Sequence, residues 1–247
     1  MPEPGALGDR AATATRYLDA VAELLTRARE ANRDSIPAAA AIVAATVERD
    51  GIIAAFGSGH SQLLALEAAG RAGGYAGVQV IFDPGMGRAE QLEGYAAALL
   101  RDVVLDPRDC LIVVSNSGRN PAPIEMAMAG RAAGLPIIAI TALEYARSSG
   151  SRHSSGKRLH EIADVVLDTC GPPGDAVLEI AGAPVAAGAV STVLGAALLN
   201  AVLVESVAEL VRRGVEPPLV RSYNLEGSEA HNARMFARYR GRVTQVI

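Results

Sequence analysis

The 247-residue sequence is poor in the residues that characterise disulfide-rich, metal-binding and nucleic-acid-binding proteins. It contains two cysteines, Cys110 and Cys170, and four histidines, and these follow no metal-ligand spacing and suggest no disulfide framework. The formal net charge of −4 provides no basic surface of the kind that binds nucleic acid. We therefore expect no bound metal, and we do not expect nucleic acid as a partner.

Signals for export and for membrane insertion are also missing. The chain begins with Met-Pro-Glu-Pro rather than with a basic flank and an apolar run. The most apolar stretch, residues 187–204, contains Ser191, Thr192 and Asn200, and we interpret it as a buried helix. These features predict a cytoplasmic protein that does not interact with membranes.

Short apolar runs alternate along the chain with segments that can form helices. The runs are residues 52–56, 78–82, 110–114, 137–140 and 165–167, and helical segments at 61–72, 91–101 and 121–133 separate the first four. Runs that are apolar on both faces are typical of a parallel sheet covered by helices on both sides. The pattern predicts a three-layer α/β/α fold with a parallel, five-stranded, flavodoxin-like sheet in the order 2-1-3-4-5.

Further helices are predicted outside this core. Apolar residues at helical spacing predict a helix over 10–31, and a second helix over 36–49 has Ser35 as its predicted N-cap. A long helix over 190–213 and a polar helix from Ser228 follow the core. No repeat or long linker divides the chain, so we predict one domain, 1–247, with N-terminal helices 10–49, a core 50–213 and a C-terminal segment 214–247. The apolar faces of the first and the long helix predict a homodimer or homotetramer.

Two polar loops follow the first and the third apolar run. The first loop is Gly57-Ser58-Gly59-His60-Ser61, and the second loop is Ser115-Asn116-Ser117-Gly118-Arg119-Asn120. Glycines permit tight turns and close approach to a ligand, and the start of the following helix favours an anion. Either loop alone is explained by a capped turn, but in the predicted strand order the two are neighbours at the crevice where such sheets bind ligands. Hydroxyl and amide groups without a P-loop lysine suit a sugar phosphate better than a nucleoside triphosphate.

The two loops resemble those of the sugar isomerase (SIS) domain family, whose members bind phosphosugars and assemble by helix packing between subunits. Ser-Gly-Arg-Asn-Pro at 117–121 resembles Ser-Gly-Arg-Thr-Pro of the N-acetylmuramic acid 6-phosphate etherases, and Leu-Glu-Gly-Tyr-Ala at 92–96 resembles their segment with a catalytic glutamate. Arg71 stands where those etherases and the phosphoheptose isomerases carry a further glutamate. Segments 152–159 and 229–232 resemble SIS-domain proteins of uncharacterised substrate.

The resemblance implies a phosphate site and one candidate acid/base residue. The residues expected at the phosphate are those of the two loops: Gly57, Ser58, Gly59, Ser61, Ser115, Asn116, Ser117, Gly118 and Asn120. By the same resemblance Glu93 is a candidate for proton transfer, although an acid near the start of a helix also merely complements the helix dipole.

Two other candidates for catalysis come from their position. A partly buried Glu67, on the helix after the first loop, would have a raised pKa suited to proton transfer, but an ion pair with Arg71 four residues on is an equal alternative. His60 lies within the first loop at ligand distance, and its alternative role is loop packing.

Residues outside the two loops are candidates for a lid or for contacts with a partner. His153 and Lys157 belong to a polar loop after the fourth run, on the same edge of the sheet, and that loop is interpreted as a lid or as a flexible surface segment. His231 opens the last helix, where residues of isomerase relatives complete the site within a subunit or across an interface. The alternative for His231 is a surface helix.

These features predict an enzyme that acts on a phosphorylated sugar, either an aldose–ketose isomerase or a related lyase or etherase. A carboxylate or histidine would move a proton next to the carbonyl through an enediol-like intermediate, without a metal or an organic cofactor. The alternative is a non-catalytic phosphosugar sensor. Regulators of that kind normally carry a DNA-binding helix-turn-helix, and the first ~50 residues show no basic recognition helix, so such a sensor would act through a protein partner.

Overall fold

The computed structural model describes residues 4–243, with side chains from residue 12 onward. The strands are β1 (Ile53–Gly57), β2 (Val78–Ile81), β3 (Cys110–Val114), β4 (Ile137–Thr141), β5 (Val165–Asp168), β6 (Ala176–Leu178) and β7 (Ala187–Ala189). The helices are α1 (Pro4–Ala31), α2 (Ser35–Glu48), α3 (Gln62–Ala68), α4 (Tyr95–Leu99), α5 (Pro121–Ala132), α6 (Leu143–Ser148), α7 (Ser191–Arg212) and α8 (Ser228–Ala237). Short 3-10 turns occupy Gly59–Ser61 and Leu159–Glu161.

Five parallel strands form the central sheet in the order β2-β1-β3-β4-β5. In the register of the sheet, Ile53 of β1 lies between Val78 of β2 and Cys110 of β3. Both the predicted three-layer architecture and the predicted strand order are confirmed. Strands β6 and β7 form a separate antiparallel hairpin that the sequence analysis did not predict.

Helices cover both faces of the sheet because alternate residues of each strand point to opposite sides. Along β3, Cys110, Ile112 and Val114 pack in the core that includes residues of α2, α3 and α7, whereas Leu111 and Val113 pack in the core that includes residues of α4 and α5. Helix α3 therefore leaves β1 on one face, and α5 leaves β3 on the other. The crevice between these two exits is the predicted switch point of the sheet.

Local departures from the predicted helices have identifiable causes. Asp34, not Ser35, precedes α2 at the N-cap position, and its side chain makes no capping hydrogen bond. The helix predicted over 91–101 is reduced to α4, because the preceding residues 83–94 form a loop in which Gly87 and Gly94 have φ of 86° and 85°. Helix α6, which has only six residues, was not predicted.

Helix α7 is the helix of the described chain that is long and apolar enough to cross a membrane by length and composition. One face of α7, including Leu194, Leu198, Val202 and Leu210, is buried inside the molecule. Core helices of water-soluble proteins meet the same length and composition criteria, and α7 packs as such a helix. The predicted buried helix over this region is thus present, although residues 187–189 belong to β7.

Asn32, in the turn between α1 and α2, fixes the N-terminal helices to the edge of the sheet. Its side-chain nitrogen donates to the carbonyl oxygen of Asp168 at 2.7 Å, and its side-chain oxygen accepts from the Asp168 amide at 2.8 Å. The same nitrogen also donates to the Ala28 carbonyl at 2.6 Å. Strand β5 is an edge strand, so Asn32 supplies the partners that a sixth strand would otherwise provide at Asp168.

Replacing Asn32 by alanine is expected to lower the free energy of unfolding by about 2–4 kcal/mol, because two main-chain groups of Asp168 lose their partners in a buried environment. Urea denaturation monitored by circular dichroism measures the change. The exposed neighbour Arg33→Ala is the control and is expected to change stability by less than about 0.5 kcal/mol. Equal effects of the two substitutions would show that Asn32 does not anchor β5.

Candidate functional site

A cavity of about 590 Å³ opens at the carboxyl ends of β1 and β3. The residues that line it come from the two polar loops, from the 83–94 loop, and from four later positions: Ser58, Gly59, His60, Ser61, Met86, Gly87, Arg88, Glu90, Ser115, Asn116, Ser117, Arg119, Asn120, Tyr145, Arg152, Asp175 and Ser191. The two loops therefore share one cavity, as expected from their positions on neighbouring strands.

The first loop depends on glycines at two places where the main chain has no space for a side chain. A Cβ atom on Gly57 would lie 2.3 Å from the carbonyl oxygen of Ser61, because the chain turns back directly after β1. Gly59 has φ of 58° and faces Gly87 of the 83–94 loop, where a Cβ would lie 3.0 Å from the Gly59 Cα. A side chain at 87 would therefore crowd the first loop, whereas glycine at 59 is favoured by its positive φ.

The second loop is braced from inside and from β4. The amide of Gly118, which has φ of 60°, donates to the Ser115 hydroxyl at 3.2 Å. The hydroxyl of Thr141 donates to the Asn116 carbonyl at 3.1 Å. Helix α5 then begins at Pro121, so its positive end points toward the loop and favours an anion there.

Asp83 joins the first loop to the 83–94 loop. Its buried carboxylate accepts hydrogen bonds from the hydroxyl of Ser58 at 2.6 Å, from the amides of Gly85 and Gly87 at 2.8 Å each, and from the hydroxyl of Tyr95 at 2.5 Å. Burial alone would raise the pKa of Asp83, but these four donors hold it below its ordinary value. Asp83 is therefore a fixed negative charge behind the cavity wall.

Glu90 is the carboxylate whose environment most resembles that of a proton-transfer group. Burial raises its pKa, and the negative charge of Asp83 raises it further. The hydrogen bond from Asn120, the nearby hydroxyl of Ser58 and the charge of Arg152 act in the opposite direction without cancelling the rise. A carboxyl group of this kind, at the wall of a cavity, is suited to exchange protons with a ligand.

Asn120 links Glu90 to the basic side of the cavity. Its side-chain nitrogen donates to Glu90 Oε1 at 2.7 Å, and its side-chain oxygen accepts from Arg152 Nη1 at 3.0 Å. Together with Arg88 and Arg119, Arg152 gives the cavity wall three guanidinium groups. The hydroxyl and amide groups expected from the sequence are therefore supplemented by positive charge.

Most residues predicted for the phosphate site line this cavity. Of the nine, Gly57 and Gly118 do not line it and instead shape the two loops. Of the catalytic candidates, His60 lines the cavity. Glu67 does not line it: Glu67 forms the ion pair with Arg71 that the spacing indicated, and it accepts a hydrogen bond from Asn200 at 3.1 Å. Catalysis by Glu67 stays a prediction.

The other candidate acid, Glu93, is exposed and contacts the loop at 151–158. Its two carboxylate oxygens accept hydrogen bonds from the amide and the hydroxyl of Ser154, at 2.6 and 2.8 Å, and these lower the pKa of Glu93. His153 of the same loop lies 3.6 Å from Glu125 of α5. Neither Glu93 nor His153 is among the residues that line the cavity.

The two remaining candidates also lie outside the cavity wall. Lys157 is exposed at the far end of the 151–158 loop, and its carbonyl accepts a hydrogen bond from Ser151 at 2.7 Å. His231, at the start of α8, is 2.8 Å from the carbonyl of Leu219. In the described part of the chain, no group of three or more His, Cys, Asp and Glu side chains is placed to hold a metal ion.

Several residues of the site were missed by the sequence analysis: Asp83, Glu90, Tyr145, Asp175 and Ser191. Glu90 lies one residue before the helix predicted over 91–101, in a polar stretch with no pattern to distinguish it. Asp175 has φ of 73° and accepts hydrogen bonds from the amide and hydroxyl of Ser191 at the start of α7. The neighbouring Gly174 predicts a turn at this point, but nothing in the sequence predicts that the turn lies beside the cavity.

Comparison with known proteins identifies relatives over nearly the whole chain. Residues 16–142 match the family model described as the SIS domain. A UPF0309 protein of Streptomyces coelicolor is 42% identical over 241 residues, which cover 93% of this chain and 96% of that protein. A UPF0309 protein of Geobacillus thermodenitrificans is 38% identical over 241 residues, with 94% and 97% coverage.

Solved structures share the fold at low sequence identity. The phosphoheptose isomerase of Neisseria gonorrhoeae superposes with a TM-score of 0.55 at 17% identity, covering 82% of this chain and 99% of that one. A putative phosphosugar isomerase of Silicibacter pomeroyi gives a TM-score of 0.52 at 20% identity, over 81% of this chain and about half, 51%, of that one. At these identities the likeness establishes the three-layer fold.

The substitution Gly57→Ala is expected to destabilise the protein by at least about 1–3 kcal/mol, because the new methyl group would collide with the main chain at Ser61 and force the first loop outward. Urea denaturation measures the loss. Gly150→Ala is the matched control, since a Cβ there meets no atom within 4 Å. Similar stability of the two variants would contradict the close turn after β1.

Proposed function

The chain belongs to the SIS-domain family, and from this premise we propose that its cavity binds a phosphorylated sugar and catalyses proton transfer on it, as a sugar-phosphate isomerase or a related lyase. One observation carries the proposal. The two serine-containing loops and a carboxyl group with a raised pKa, Glu90, line the same cavity at the carboxyl edge of the sheet.

The phosphate is assigned to the space between the two loops. Hydroxyl groups of Ser61, Ser115 and Ser117 line that space, and the start of α5 adds the partial positive charge of a helix N-terminus. Arg119 and Arg152 contribute full charges, which suits a doubly charged phosphate ester. This arrangement supports an anion as the anchored end of the ligand.

The proposed chemistry follows from the groups beside that anchor. Isomerisation of an aldose to a ketose, and elimination next to a carbonyl, both begin with removal of a proton from the carbon adjacent to the carbonyl. Glu90 is proposed as the base, and a raised pKa makes its conjugate acid able to return the proton. His60 lines the same cavity and is proposed to exchange a proton with the carbonyl oxygen of the sugar.

A non-catalytic phosphosugar sensor is the second candidate. The observation in its favour is Arg71, which stands where the resembled isomerases and etherases carry a further glutamate and which forms an ion pair with Glu67. A sensor would bind sugar phosphates with the same two loops but show no turnover. Detection of turnover that depends on Glu90 decides for the enzyme.

A homo-oligomer, as predicted from the sequence, is part of the proposal. Leu18 of α1 and Val204 and Val211 of α7 are more than half exposed, at 65, 69 and 62%. Large apolar side chains on two neighbouring helices support a subunit contact through these helices. The cytoplasmic location stays a prediction.

Substituting Ser117 by alanine is expected to weaken binding of sugar phosphates by about 10- to 100-fold, the effect of losing one hydrogen bond to a charged group. Fructose 6-phosphate, glucosamine 6-phosphate and sedoheptulose 7-phosphate are screened by thermal shift, and the affinity of each hit is measured by calorimetry. Thr26→Ala, on exposed α1, is the control. Unchanged affinity of Ser117→Ala would place the phosphate elsewhere.

Substituting Glu90 by glutamine is expected to reduce turnover by about 10²- to 10⁴-fold while sugar-phosphate binding persists.

The same substitution is expected to increase the stability of the protein. Because the folded protein raises the pKa of Glu90, ionisation of Glu90 costs stability as the pH rises through that pKa. The Gln variant should therefore melt at a higher temperature than the wild type at neutral pH, and the difference should disappear in acid.

Glu179→Gln, an exposed carboxylate on the β6–β7 hairpin, controls for loss of charge. It should leave turnover unchanged. Full activity of Glu90→Gln would exclude Glu90 as the base, and a lower melting temperature of that variant would contradict its desolvated position.

A further inference from the structure

The 151–158 loop extends from the protein surface to the cavity, and hydrogen bonds hold it on both sides. On the inner side, the amide of Arg152 donates to the Arg119 carbonyl at 2.9 Å, and its guanidinium donates to Asn120 at 3.0 Å. On the outer side, Ser154 donates its amide and its hydroxyl to the carboxylate of Glu93, at 2.6 and 2.8 Å. Only one residue separates Arg152 from Ser154.

We propose that Glu93 is a positioning residue that holds the 151–158 loop against the cavity so that the Arg152 guanidinium faces the bound phosphate. The proposal rests on the proposed function, because it takes the ligand of the cavity to be a phosphate ester. It assigns to Glu93 an action through Arg152 and no contact with the substrate.

The geometry of Glu93 supports this role in two ways. The carboxylate is exposed and is absent from the residues that line the cavity, whereas Arg152 is among them. Both carboxylate oxygens are already used by Ser154. A carboxylate with two charge-assisted hydrogen bonds to one residue fixes that residue in both position and direction.

Hydrogen bonds within the 151–158 loop hold its residues together as a unit. The hydroxyl of Ser151 donates to the carbonyl of Lys157 at 2.7 Å, which closes the loop on itself, and His153 Nδ1 lies 2.8 Å from the Ser155 hydroxyl. Because these internal bonds keep the loop together, we expect release of Ser154 from Glu93 to strain the contacts of Arg152 with Arg119 and Asn120.

Arg152 also changes the pKa of Glu90, and this provides an experimental readout that a purely structural contact would not affect. The positive charge of Arg152 lowers the pKa of Glu90, against the raising effects of burial and of Asp83. Displacement of Arg152 should therefore move the pH profile of turnover to higher pH. The pH profile reports the position of Arg152 even where the affinity changes little.

The test combines a ligand-free probe with a binding assay. Lys157 is the only lysine of the chain, so endoproteinase Lys-C cuts the native protein within this loop or nowhere. Glu93→Ala and Ser154→Ala are expected to be cut about two- to fivefold faster than the wild type, the factor expected for the loss of exposed hydrogen bonds. Glu216→Ala, which removes a similarly exposed carboxylate bound to Arg234, is the control.

Binding of inorganic phosphate and of sorbitol 6-phosphate, a sugar phosphate without a carbonyl group, is measured for the same variants by calorimetry. Arg152→Ala should weaken both by about tenfold or more, and Glu93→Ala by about two- to fivefold. In the Glu93→Ala/Arg152→Ala double variant, the loss should equal that of Arg152→Ala alone, because Glu93 acts through Arg152. Glu93→Gln, which keeps an acceptor for the Ser154 amide, should restore part of the affinity.

The outcomes separate this proposal from the proposed function. An unchanged Lys-C rate, additive losses in the double variant, or loss of turnover in Glu93→Ala with unchanged phosphate binding would overturn the positioning role and leave the proposed function standing. If the wild type bound no phosphate ester, the proposed function would be wrong, and so would the role proposed for Arg152.

Discussion

The site is organised by the buried carboxylate of Asp83, which accepts four hydrogen bonds from three separate parts of the chain. A carboxylate without partners in this position would carry a large desolvation cost, so Ser58, the glycine turn at 85–87 and Tyr95 must all be in place for the fold to be stable. The same bonds fix the first loop and the 83–94 loop at once. Glu90, within that loop, is held on the cavity wall by the Asn120 side chain and the Ala122 amide.

The sheet supplies the second constraint. Because α3 and α5 leave neighbouring strands on opposite faces, the two polar loops diverge and leave a crevice between them. Glycine at 57 allows the chain to turn back directly after β1, and glycine at 87 allows the 83–94 loop to approach the first loop more closely than a Cβ would permit. Positions that appear in the sequence as flexible turns are thus places of close packing, and the cavity is formed by the rigid part of the molecule.

The sequence predicts well what depends on local pattern. Each of the five core strands lies within one residue of a predicted apolar run, and the two loops were identified from residues that are adjacent in the chain. Glu90, Asp83 and Arg152 depend instead on contacts between segments 25 to 32 residues apart, such as Ser58 with Asp83 and Asn120 with Arg152. An acidic residue in a polar stretch has no periodicity to mark it. The raised pKa of such a residue arises only when folding removes water from around it.

The charges around Asn120 connect binding with proton transfer in the proposed reaction. One amide side chain contacts both Glu90 and Arg152, so the positive charge that would bind phosphate is also the charge that limits the proton affinity of the base. A doubly negative phosphate bound beside Arg152 would neutralise part of that field. The proton affinity of Glu90 would then rise when the substrate arrives, and the base would be strongest when the cavity is filled.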